Sequence, residues 1–134
     1  MIKERLKKLK DLLKKYNLDG YVVPKNDEFF SEFLNKDRLN VISNFKGSAG
    51  YAVILKNENY LFVDGRYTIQ ANIECGKNFK IVDYYKILNT KIFKNINLGI
   101  DPTLFTSNQL KKFFEYISLM SFFFSKIFTV WRIR

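Results

Sequence analysis

Apolar residues recur along the first sixteen positions at helical spacing. Ile2, Leu6, Leu9, Leu12, Leu13 and Tyr16 form one stripe, and lysines fill the other face. This predicts an amphipathic first helix that ends near Asn17 to Gly20, where Asn and Gly tolerate positive φ. Tyr21-Val22-Val23 then reads as a short buried strand halted by Pro24. Asn26 or Asp27 can cap a second helical segment that turns Phe29, Phe33 and Leu34 inward. Leu39 to Phe45 is apolar but too short for periodicity to decide between helix and strand.

The plainest signal follows. Tyr51 to Leu55 and Tyr60 to Val63 are β-rich runs joined by the polar turn Lys56-Asn57-Glu58-Asn59, which predicts a hairpin. Tyr67 to Cys75 reads as a helix with Ile69 and Ile73 on one face, Phe79 to Tyr84 as a strand, and Lys86 to Lys94 as a helix. Leu98-Gly99-Ile100 runs into Asp101-Pro102, a strand end and turn. Thr106 or Ser107 can cap a helix through Leu110, Phe113, Phe114 and Ile117. Strands interleaved with helices around an antiparallel hairpin predict an α/β fold with a mixed β-sheet flanked by helices. Residues 1–117 are expected to form the domain, and 118–134 a divergent apolar tail that serves as an edge strand or lies exposed.

Composition narrows the functional classes. A chain of 134 residues suits a single domain that buries roughly two-thirds of its unfolded surface. One cysteine, Cys75, allows no internal disulfide and no zinc-type spacing, so a reducing, cytoplasmic setting is expected. The lysine-rich start lacks the apolar core of a secretory signal. The net charge of +10 divides into +5 over residues 1–15, −1 over 16–85 and +6 over 86–134, and 18 of the 23 basic residues are lysine. Together with abundant Asn, Ile, Phe and Tyr, this pattern fits an A/T-biased coding sequence better than an arginine- and aromatic-lined nucleic-acid surface. Residues 113–131 are long and apolar enough to suggest a membrane span. Glu115 and Lys126 inside them argue against it, each costing roughly 2.5–3.5 kcal/mol at a bilayer centre.

The candidate chemistry lies in NFKGSAGYAVILKNENYLFVDGRY, residues 44–67. The Gly47-Ser48-Ala49-Gly50 loop lacks the spacing and lysine of a phosphate-binding loop. A nucleophilic Ser48 would need a base, and the chain contains no histidine. The loop is therefore read as a tight entry to the hairpin. Asp64-Gly65-Arg66-Tyr67 is read as a strand-to-helix corner, with Asp64 accepting backbone N–H bonds and Arg66 paired with an acid.

Taken in order, LDGYVVPKNDEFFSEF (18–33), RLNVISNFKGSAGYAVIL (38–55), YLFVDGRYTIQA (60–71) and LGIDPTLFT (98–106) resemble the N-terminal creatinase-like domain of Xaa-Pro aminopeptidase (aminopeptidase P). The combination of GSAG, hairpin, DGRY and GIDP is specific, although no single piece is. The resemblance implies a ribonuclease-H-like α/β domain that does not hold the catalytic metals. In that family a separate pita-bread domain binds two divalent ions, often manganese, through two Asp, one His and two Glu. No catalytic, cofactor or metal residue carries over to this histidine-free chain. Phe45, Gly47, Ser48, Gly50, Asp64, Arg66 and Tyr67 are expected to act as shape and contact determinants. The sequence departs from the family at Asn44, where Gly is common, at Lys46, where a small or acidic residue is common, and over SLMSFFFSKIFTVWRIR. The expectation is a truncated or split-gene product with a scaffold, substrate-access or oligomerisation role and no peptidase activity of its own. The alternatives are an interaction module that docks with itself or a separate catalytic subunit, and a basic binder of nucleic acid or anionic membrane.

Overall fold

The computed structural model describes residues 1–27, 29–31, 34, 36–83, 96–112 and 127–129. Helix α1 (Ile2–Lys15) buries Leu6, Leu9 and Leu13 and carries Glu4 in its first turn and Lys14 and Lys15 in its last, as the helix dipole favours. It ends in a Schellman motif. Asn17 adopts φ 54°, the Asn17 N–H donates to the Lys14 carbonyl, and the Leu18 N–H reaches back to that of Leu13. Tyr16 is the exception to the predicted stripe: it lies at the cap, half exposed, beneath the Lys15 amine.

Strand β1 (Gly20–Pro24) pairs antiparallel with β2 (Tyr51–Leu55), which pairs antiparallel with β3 (Asn59–Val63). The hairpin turn closes through the Leu55 N–H and the Glu58 carbonyl, 2.8 Å apart. Helix α3 (Thr68–Cys75) then carries the chain to β4 (Lys80–Asp83), parallel to β3. Strand β5 (Leu98–Ile100) lies parallel to β1, and β6 (Ile127–Thr129) lies parallel to β5. The order is β4-β3-β2-β1-β5-β6, the expected mixed sheet.

Alternation along the strands divides the core into two layers. Tyr21, Val23, Ala52, Ile54, Leu61 and Val63 face the helices α1 and α3 together with α2 (Arg38–Ser43). Val22, Val53, Tyr60, Phe62, Leu98 and Ile100 face the other side, against Phe105 and Leu110. Because both faces are covered, β1 is buried along its whole length and reads as an unbroken apolar run. Residues 107–112 are helical, and Thr106 and Gln109 cap them reciprocally.

One expectation needs correction. Asp27 does accept N–H bonds, from Phe29 and Ser31, but it closes a turn there and starts no helix in residues 29–31. Phe29 is consequently 77% exposed instead of facing inward, and Leu34 is only half-buried. On α3, Ile69 and Ile73 share one face as expected; that face is exposed, and the helix packs through Ala71 and Cys75. The undecided run Leu39 to Phe45 is settled as α2. The Asp37 side chain caps it at the Asn40 N–H, and Asn44 ends it at φ 68°. The predicted helix at 86–94 and the positions of Phe33, Phe113, Phe114 and Ile117 lie outside the described residues. No helix among the described residues is long and apolar enough to cross a membrane.

Candidate functional site

Strands β1, β3, β4 and β5 end on one rim of the sheet, where β2 begins. The GSAG loop and the DGRY corner meet on this rim, and the seven residues singled out from sequence form one continuous cluster there. Phe45 is its centre and is fully buried. A Cβ on Gly47 would lie 2.2 Å from the Phe45 ring. One on Gly50 would lie 3.0 Å from the Phe62 carbonyl and 3.3 Å from the same ring. Both glycines are therefore needed for the loop to wrap the aromatic side chain. Tyr67 packs edge-on against Phe45 at 6.1 Å, and its hydroxyl is hydrogen-bonded to that of Ser48.

The Asp64 corner is built from charge. Its carboxylate accepts the Arg66 N–H at 2.9 Å and caps the 3-10 turn Gly65–Tyr67. The same carboxylate takes the Arg66 guanidinium, Nε to Oδ1 at 3.2 Å and Nη2 to Oδ2 at 3.4 Å. The backbone N–H, then the guanidinium, hold the Asp64 carboxyl below its ordinary pKa, and the carboxylate in turn raises that of Arg66. The guanidinium also lies 5.7 Å from the Tyr67 ring centre. The expected acid partner of Arg66 is thus its own cap residue.

Three supports were not visible in the sequence. Lys25, at the end of β1, pairs with Asp37 while its amine sits 5.8 Å from the Phe45 ring centre and 3.4 Å from the Phe45 carbonyl. The Glu74 carboxylate on α3 accepts the Lys46 N–H at 2.9 Å. Beneath them, Ser43 donates to the Leu39 carbonyl and accepts the Phe45 N–H. Burial pushes the neighbouring Cys75 thiol up to about 11, with Glu74 adding to the shift. Only the Asp37 cap had a legible signal, an Asp directly before an apolar helical run.

Chemically, the rim offers hydroxyls, ion pairs and aromatic surface. Ser48 is exposed and meets a phenol, an arrangement that supplies no general base. No group of three or more Cys, Asp or Glu that could hold a metal occurs among the described residues.

A family model, the Creatinase/Prolidase N-terminal domain, matches residues 5–122. The chain belongs to this family. The creatinase-type domain is 37% identical over 115 residues to a protein described as probable Xaa-Pro aminopeptidase P from Laccaria bicolor, covering 78% of this chain and 18% of that one. It is 34% identical over 110 residues to Xaa-Pro aminopeptidase 2 of Rattus norvegicus, covering 76% and 16%. The chain thus spans about a fifth of the length of the curated relatives it matches. Among solved structures, X-prolyl aminopeptidase from Caenorhabditis elegans superposes with a TM-score of 0.76 at 23% identity, over 98% of this chain and 24% of that one. A creatinase/prolidase-like N-terminal domain from Corynebacterium diphtheriae superposes with a TM-score of 0.72 at 14% identity, over 99% and 98%. These likenesses agree on the fold of the creatinase-type domain. Asn44 ends α2 at a left-handed φ of 68°, a conformation that Asn tolerates better than most side chains.

Proposed function

We propose that this chain is a non-catalytic module that docks against a separately folded catalytic domain or subunit and shapes substrate access to it. The observation that carries the reading is the extent of the match. The chain corresponds to the N-terminal domain of Xaa-Pro aminopeptidases and to about a fifth of their length. On this reading the divalent-metal chemistry belongs to the partner, and the Phe45–Tyr67 cluster gives the rim its shape. Phe29 and Phe30, 77% and 43% exposed on the turn after β1, supply the apolar contact surface that docking needs. The same exposure favours a second reading, self-association through this rim.

The purified chain, freed of host peptidases and supplied with manganese, is expected to release no N-terminal residue from a Xaa-Pro peptide. Manganese-dependent release would overturn the proposal. Light scattering at rising concentration separates the two readings. A strict monomer discards self-association, and a dimer that Phe29→Ser dissociates supports it.

A further inference from the structure

A second feature lies away from the Phe45 cluster. Between α1 and α2, over β1, is a cavity of about 300 Å³, a volume at the lower end of ligand pockets. Leu9, Leu12, Val23, Ile42 and Leu104 give it an apolar wall. Among the described residues its charged lining is unbalanced: Arg5, Lys8, Lys36 and Arg38 face it against the one carboxylate of Asp101.

That carboxylate is already engaged, accepting the Thr103 N–H at 3.0 Å and the Thr103 hydroxyl at 2.6 Å. Arg5 is engaged too, donating to the Val41 carbonyl at 2.7 Å and so tying α1 to α2 across the cavity. Lys8 and Lys36 are different. Both are exposed, and neither belongs to an ion pair among the described residues. Tyr21 also lines the cavity, and burial, then Asp101, raises its phenol pKa so that it stays a hydrogen-bond donor. An apolar wall beneath uncommitted ammonium groups is complementary to a ligand with a hydrocarbon body and one anionic end.

We propose that this cavity binds a small apolar monocarboxylate, its chain against Leu9, Leu12 and Ile42 and its carboxylate at the rim carrying Lys8 and Lys36. The site is independent of the catalytic question, because none of these residues belongs to the Phe45 cluster.

Octanoate titrated into the ¹⁵N-labelled full chain is the test. Saturable amide shifts are expected at Leu12, Tyr21, Val41 and Ile42. Affinity should fall about tenfold or more, equivalent to about 1.4 kcal/mol, in a Lys8→Glu/Lys36→Glu variant. Each single reversal should lose part of that, while Lys14→Glu, on the exposed side of α1, should bind as the native chain does. Neutral octanol should bind more weakly than octanoate, and added salt should weaken octanoate alone. Equal affinity for octanol, non-saturating shifts spread over the surface, or unchanged binding in the charge-reversal variants would each overturn the proposal.

Discussion

The GSAG loop and the DGRY corner touch each other on one rim, yet they are held by opposite means. The loop has its shape because two glycines leave room for a fully buried Phe45 ring. The corner has its shape because a half-buried carboxylate gathers a backbone N–H and an exposed guanidinium around itself. The first arrangement is anchored in the core and tolerates almost no change of volume. The second is solvated, and its parts are free to meet a partner. Residues that stand out equally in the sequence therefore differ in kind. Phe45, Gly47 and Gly50 are packing residues, whereas Ser48, Arg66 and the Tyr67 hydroxyl are available surface.

Removing the ring should break the first arrangement outright. Phe45→Ala deletes a fully buried aromatic side chain against which Gly47, Gly50 and Tyr67 pack. A loss of about 3–5 kcal/mol is expected, read from denaturant unfolding. Gly47→Ala asks whether the loop is as tight as its geometry says. The new methyl meets the Phe45 ring well inside contact distance, so about 1–3 kcal/mol should be lost through displacement of the ring or loop. Full stability in Gly47→Ala would show that the glycine is not needed for packing and would erase the contrast between loop and corner.

Much of this fold was legible because its patterns are strong. The Leu6, Leu9, Leu13 stripe, the hairpin and the strand before Asp101-Pro102 were each marked by periodicity and a turn residue. The run at α2 was not, since six residues are too few for a period, and only the Asp37 cap with Asn44 decides it. Phe29 was misplaced for a related reason. An Asp that bonds the N–H groups ahead of it can start a helix or merely close a turn, and the local sequence is the same in both cases. The motifs marked the seven rim residues as shape and contact determinants. They gave no hint that Lys25 would pair with Asp37 beneath Phe45, because such a pairing depends on the register of β1 against α2 and on no sequence spacing.

The corner should respond weakly, and to charge. Asp64→Ala removes both the cap and the ion pair, and Asp64→Asn keeps a capping oxygen but no charge. Both should cost less than Gly47→Ala, since exposed ion pairs contribute little. Their pH dependence is the sharper reading. The Asp64 carboxyl is depressed below its ordinary 3.8 in the folded chain. Its contribution is therefore present above that value and is lost as pH falls through the lower, folded one. The melting-temperature advantage of the native chain over Asp64→Asn should be small near neutral pH and should shrink toward zero in strong acid. A difference that stays constant across that range would mean that the ionised carboxylate is not what shapes the corner, and the two halves of the rim would then be alike after all.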